Sequence, residues 1–147
     1  MPDLPPLDPA SAPDSFAAFI EANTVIAKPP LVPEIKLRLA TEITPIWQAT
    51  ETEMREANLP PPFWAFCWPG GQALARHILD NPEIVHGKRV LEFAAGGAVS
   101  GIAAATAGAA KVIANDIDAV AIAAAQTNAA LNDVTLAPAA RISMADS

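Results

Sequence analysis

Two carboxylates and a glycine-rich turn are the residues here whose types and spacing could hold a small charged ligand. Val90-Leu91-Glu92-Phe93-Ala94-Ala95-Gly96-Gly97-Ala98 reads as an apolar strand that ends in an acid and runs into a turn of very small residues. Such a turn lets backbone N–H groups approach a ligand, and the helix after it adds the positive end of its dipole. About twenty residues on, where a ribose-binding acid is expected after such a turn, stands Asn115-Asp116-Ile117-Asp118. A carboxylate at Asp116 can accept from both hydroxyls of a ribose, each charged bond being worth about 1.5–3 kcal/mol, while Ile117 can cover an adenine face. Asp118 is better placed to cap the following helix.

Gly96-Gly97-Ala98-Val99-Ser100-Gly101 fits G-x-A-x-x-G, close to the dinucleotide pattern whose turn cradles a pyrophosphate. The same stretch is similar to the acid-plus-glycine turn of S-adenosylmethionine-dependent methyltransferases. Glu92 separates the two readings. A pyrophosphate beside it would be repelled, whereas an ammonium and a sulfonium would be attracted. A turn that only packs a helix on a strand needs no ligand at all and is the plain alternative. Asp146 closes the third expected strand, where an acid meets an adenine amine.

Ahead of the turn lies Pro62-Phe63-Trp64-Ala65-Phe66-Cys67-Trp68-Pro69-Gly70-Gly71-Gln72. Trp64 and Phe66 read as core. Trp68 precedes a helix N-terminus at Pro69-Gly70-Gly71, and its flat ring with those free N–H groups would border the methionine end of a cofactor. Cys67 has no Lys, Arg or His near it in sequence and reads as a buried thiol rather than a nucleophile. His77 and His86 read as structural, and no Ser/His/Asp set, metal motif or phosphate-binding loop is evident. No residue is assigned a catalytic role.

The elements that must position these residues follow from pattern. Residues 1–14 are rich in Pro and Asp and are expected to be a flexible lead-in. Ser15 offers a helix cap before Phe16, Phe19 and Ile20. Ile35, Leu37 and Leu39 alternate with Lys36 and Arg38 as in a half-buried strand, and Thr44-Pro45 starts a helix expected to reach about Ala57. A further helix runs from Pro69 to Asn81-Pro82. Residues 15–87 thus form an N-terminal extension. From Lys88 the order is strand (Arg89–Phe93), turn, helix to about Ala107, strand (Lys111–Asn115), helix (Asp118–Leu131) and strand (Ala140–Met144). That is βαβαβ, the first half of a doubly wound α/β sheet, over residues 88–147.

The 147 residues are 52% apolar and 17% charged, as expected of one compact domain. A formal net charge of −7 with nine Lys and Arg speaks against a nucleic-acid partner. One cysteine and two histidines cannot make a four-ligand zinc site, so no metal is expected. The single thiol and the absence of a basic, apolar leader at Met1-Pro2-Asp3-Leu4-Pro5-Pro6 point to the cytoplasm. The uncharged run from Phe93 to Ala110 is nearly all Ala and Gly and is read as turn and buried helix rather than a membrane span. A sheet whose first strand has no second neighbour would lack one wall of its ligand crevice. The sequence is therefore expected to be a fragment or to need a partner, and to bind a cofactor feebly as it stands.

These blocks together resemble the electron-transfer-flavoprotein β-subunit lysine methyltransferases, class I S-adenosylmethionine-dependent enzymes with a Rossmann-like fold. The resemblance runs from about Phe19 to Leu136 and takes in Leu31-Val32-Pro33-Glu34-Ile35-Lys36-Leu37-Arg38-Leu39, Trp64-Ala65 and Trp68-Pro69-Gly70-Gly71-Gln72-Ala73-Leu74. It continues through Gly87-Lys88-Arg89-Val90-Leu91 and Ala114-Asn115-Asp116-Ile117-Asp118 to Asn128-Ala129-Ala130-Leu131-Asn132. It implies S-adenosylmethionine as cofactor and a protein lysine as substrate, on the electron transfer flavoprotein β subunit or a ribosomal protein. It also implies that Glu92, Gly96 and Asp116 contact cofactor and that Trp68, Gly70 and Gly71 border the pocket. Where the family has Asp and two glycines, this sequence has Glu92, Ala94 and Ala98, a bulkier turn. The rivals to this reading are a methyltransferase of a small amine, a degenerate non-catalytic binding module, and an NAD-dependent oxidoreductase.

Overall fold

A computed structural model describes residues 13–49, 51–58 and 60–137. Its first helix, α1 (Pro13–Asn23), starts two residues before the expected cap at Ser15. Pro13 and Asp14, expected in the lead-in, are thus helical, and residues 1–12 lie outside the described residues. Phe19 and Ile20 on α1 are buried as their spacing predicts. A short strand β1 (Val25–Ala27) follows and pairs antiparallel with β2 (Leu37–Leu39), Val25 opposite Leu39. The expected strand from Ile35 is cut to its last three residues. Ile35 N–H closes a turn on the Val32 carbonyl, and both backbone groups of Lys36 bond to the Asn132 side chain instead of a strand.

The single helix expected from Thr44 to Ala57 is two, α2 (Pro45–Gln48) and α3 (Glu51–Glu56). Ala49 between them is extended, and the break seats Ile46 and Met54 in one apolar cluster. A 3-10 turn at Phe63–Ala65 leads to α4 (Pro69–Asp80), which ends at Asn81-Pro82 as expected.

The rest follows the sequence expectation closely. Strand β3 (Arg89–Glu92), helix α5 (Val99–Thr106), strand β4 (Lys111–Ala114) and helix α6 (Ala119–Leu131) alternate. β3 and β4 are parallel in register, Arg89 opposite Lys111 and Glu92 opposite Ala114. Both strands thus end at the same edge, where α/β sheets bind ligands. Past Ala114, Ala137 makes a parallel bridge with Ile113 on the side of β4 away from β3. The expected strand Ala140–Met144 and Asp146 lie outside the described residues.

Two apolar clusters hold these elements together. One joins Val32, Ile35 and Leu37 to Ala75 and Ile78 of α4, Ile102 of α5 and Val112 of β4. The other joins α1 through Phe19 and Ile20 to Trp64 and to Val120, Ala121 and Ala124 of α6. Both clusters draw on residues before and after Gly87, so the extension and the α/β part share one core. Small residues, Ser100, Gly101, Ala103 and Ala104 on α5 and four alanines on α6, dominate the inner faces and let the helix backbones approach the neighbouring elements closely.

Candidate cofactor site

The turn after β3 is built from backbone conformations that favour glycine. Ala94, Gly96 and Ala98 have φ of 53°, 53° and 67°, all in the left-handed region. Gly96 meets that demand at no steric cost, whereas the two alanines carry strain of about 1–2 kcal/mol each.

Hydrogen bonds from both carboxylates fix the turn. Asp116 Oδ2 accepts from the Gly96 N–H at 2.9 Å, and Oδ1 accepts from the Asp118 N–H at 3.0 Å. Each oxygen keeps a further lone pair. Asp118 takes the cap of α6, accepting from the Val120 N–H at 2.9 Å, as its position predicts. Beyond the ladder, Asn115 N–H donates to the Glu92 carbonyl and Ala95 N–H to the Asn115 carbonyl, so the two strand ends remain stitched together.

Glu92 does more than face a ligand. Its Oε2 accepts from the Gly101 N–H at 2.7 Å, in the first turn of α5, and the Ser100 N–H also donates to it. A Cβ on Gly101 would strike this carboxylate, so that glycine is part of the same device. Burial pushes the Glu92 carboxyl up to about 7, with the nearby Asp116 charge adding to the rise and the two N–H donors opposing it. The acid thus anchors α5 whether or not a ligand is present, and a cation brought beside it would restore its charge.

Both carboxylates line one open cavity of about 1010 Å³, at the upper end of the range for small-molecule pockets. Trp68, Gly70, Gly71, Ala94, Gly96 and Ile117 also line it, with Leu91, Phe93 and Phe63. Ala98 is fully buried beneath the turn and shapes it from below, so it is not in the wall. Trp68 ends in an Nε1–H bond to the Phe63 carbonyl at 3.1 Å, and its ring packs on Phe63 and Phe66. Trp68 precedes α4 without a side-chain cap, so the first turn of α4 opens at the cavity through Gly70 and Gly71. Gly71 also serves packing: a Cβ there would sit 3.1 Å from Val99, and its carbonyl accepts from the Ser100 hydroxyl at 3.2 Å.

The remaining sequence readings divide. Trp64 is core, whereas Phe66 is only half-buried and borders the cavity. Cys67 is partly buried, and desolvation together with the Glu92 charge pushes its thiol up to about 11. His77 sits beside Asn81 at the end of α4, and His86 packs against Gly108. Among the described residues no three His, Cys, Asp or Glu side chains gather as a metal site, and no helix is long and apolar enough to cross a membrane. Gly101, which the sequence offers only as the last glycine of the G-x-A-x-x-G pattern, is a further residue of this site. Gly101 could have been found from its place nine residues after Glu92, in the first turn of the helix.

Residues 73–145 match the family described as ribosomal protein L11 methyltransferase (PrmA). The electron transfer flavoprotein beta subunit lysine methyltransferase of Homo sapiens is 45% identical over 119 residues, covering 78% of this chain and 43% of that protein. The homolog of that enzyme in Caenorhabditis elegans is 41% identical over 121 residues, covering 82% of this chain and 48% of that protein. The chain is homologous to these lysine methyltransferases. It spans about half the length of the relatives it matches. The crystal structure of ribosomal protein L11 methylase from Lactobacillus delbrueckii subsp. bulgaricus is 28% identical with a TM-score of 0.47, over 56% of this chain and 42% of that one. The α/β arrangement of the chain is that of a partial Rossmann-like class I methyltransferase, a class whose methyl donor is S-adenosylmethionine. In this chain the acid, the turn and the second acid stand at the C-terminal edge of the parallel strands, where the doubly wound fold takes its ligand.

Proposed function

We propose that this chain forms the S-adenosylmethionine-binding part of a protein-lysine N-methyltransferase that acts on the electron transfer flavoprotein β subunit. The observation that carries the reading is the convergence of Glu92 and Asp116 on one apolar cavity beside a turn held in left-handed conformation. The donor set fits the cofactor. Asp116 keeps acceptor capacity for ribose hydroxyls, Ile117 offers an apolar face, and the exposed N-terminal turn of α4 suits a carboxylate. Glu92 lies where an ammonium or sulfonium would offset its cost of ionisation. Asp146 is proposed to meet the adenine amine.

When bound, the cofactor supplies an activated methyl group on a good leaving group, so the protein's task is alignment and exclusion of water. Alignment of this kind contributes up to about 7–11 kcal/mol of barrier reduction. Asp116 and the Gly96 turn would hold the nucleoside end, and Glu92 would face the cationic end. Trp68, Phe63 and Leu91 keep the cavity apolar. The substrate assignment is supported by the names of the relatives at 41–45% identity. A second reading, methylation of a ribosomal protein, is supported by the L11 methyltransferase match. The test is to incubate the protein with S-adenosylmethionine and each candidate substrate and to read methyl-sized mass increments on lysine. We expect increments on the flavoprotein β subunit, lost in Asp116→Ala. Increments only on ribosomal protein L11 would transfer the assignment to the second reading, and none on either would end both.

A further inference from the structure

Asn128 on α6 is completely buried, and it spends both ends of its amide on the backbone of two distant segments. Its Oδ1 accepts from the Arg38 N–H of β2 at 2.8 Å, and its Nδ2 donates to the Gly97 carbonyl of the turn at 2.9 Å. One helical turn on, Asn132 grips the residue just before that strand without reaching the turn. Its Oδ1 accepts from the Lys36 N–H at 2.9 Å and its Nδ2 donates to the Lys36 carbonyl at 2.7 Å. Two asparagines, one in α6 and one at its C-cap, thus hold the extension, and Asn128 also touches the ligand turn.

Gly97 is enclosed at that point. A Cβ there would lie 3.0 Å from the Trp64 carbonyl and 3.2 Å from Asn128 Nδ2. The residue after Trp64 is tied to the end of β2 in turn, since the Ala65 carbonyl accepts from the Ala40 N–H at 2.8 Å. The turn therefore rests between two parts of the same structure, a backbone carbonyl on one side and a buried amide on the other. It also contains two alanines in left-handed conformation, which an unsupported turn would relax.

We propose that Asn128 is a positioning residue for the cofactor site, holding the Gly97 carbonyl against the β2 backbone so that the strained turn keeps its ligand-binding shape. The proposal rests on the cofactor reading above. Asn128 touches no ligand itself; it acts through Gly97, and the β1–β2 hairpin acts through Asn128. This gives the N-terminal extension a part in cofactor binding although it lies far from the second acid in sequence.

The test compares Asn128→Asp with Asn132→Ala. The aspartate keeps the acceptor for Arg38 but removes the donor to Gly97, while the alanine frees Lys36 and the Asn128 carbonyl and leaves the Asn128–Gly97 bond in place. Two measurements are made on each: amide hydrogen exchange over residues 95–101 without ligand, and a nuclear magnetic resonance titration with S-adenosylhomocysteine. We expect faster exchange in this segment and at least tenfold weaker binding in Asn128→Asp, with Asn132→Ala matching wild type in exchange and within twofold in affinity. Equal loss in both variants, or wild-type exchange in Asn128→Asp, would overturn the proposal. Should wild type fail to bind, the cofactor reading fails, while the exchange comparison still decides the role of Asn128. If Asn128→Asp does not fold, Gly97→Ala crowds the same contact from the turn side and must speed the exchange of neighbouring amides; unchanged exchange there would refute the claim.

Discussion

The left-handed alanines make opposite demands that glycine substitution separates. At Ala94 the residue is exposed, so its methyl group contributes no burial, and relief of the left-handed conformation is worth about 1–2 kcal/mol. Glycine returns about 0.4–1 kcal/mol of this by loosening the unfolded chain. Ala94→Gly is therefore expected to stabilise by about 0.5–1 kcal/mol, a rise in Tm of about 1–4 °C for a chain of this size. Ala98 has the same conformation but is fully buried, and loss of its methyl removes about 0.8 kcal/mol of apolar burial. Ala98→Gly should consequently stay within about 0.5 kcal/mol of wild type. Urea denaturation followed by circular dichroism, with a thermal scan, reads both. A destabilised Ala94→Gly, or an Ala98→Gly that gains as much as Ala94→Gly, would refute the strain argument.

Glu92 should make stability depend on pH. Its folded pKa of about 7 lies above the ordinary carboxylate value of 4.5, so the native state binds more protons between them and stability from this group falls as pH rises through that window. Glu92→Gln should flatten that limb, and an unchanged pH profile of Tm would contradict the assignment. Cys67, with its thiol pushed up to about 11, should react with iodoacetamide at pH 8 roughly a hundredfold more slowly than a free cysteine peptide; reaction at the peptide's rate would show the thiol exposed. Gly101→Ala drives a Cβ into the Glu92 carboxylate and is expected to cost about 1–3 kcal/mol, whereas Gly70→Ala meets nothing within 4 Å and should stay within about 0.5 kcal/mol in urea unfolding. Equal effects would show that the packing at Gly101 is looser than described.

The strands and helices from Arg89 to Leu131 were legible to within a residue or two because their apolar runs, a small-residue turn and an Asp cap mark every boundary. Strand β1 escaped notice because three residues are too few to display alternation. The break between α2 and α3 also left no mark, since Ala49 is a strong helix former that tertiary packing holds extended. Residue types at the site were legible, but their bonds were not. The sequence places an acid at the end of β3, yet only coordinates reveal that its carboxylate turns into the first turn of α5. Asn128 opens the run Asn128-Ala129-Ala130-Leu131-Asn132, but its partners lie 90 and 31 residues away, and no local pattern could name them.

The two-acid cavity is tested most directly by a proton–nitrogen titration of the chain with S-adenosylhomocysteine, which detects weak as well as tight binding. We expect saturable shifts concentrated at the amides of Gly96, Gly101 and Asp118 and at the Trp68 indole, abolished in Asp116→Ala. Silence at those positions, or equal shifts on adding NAD, would contradict the account.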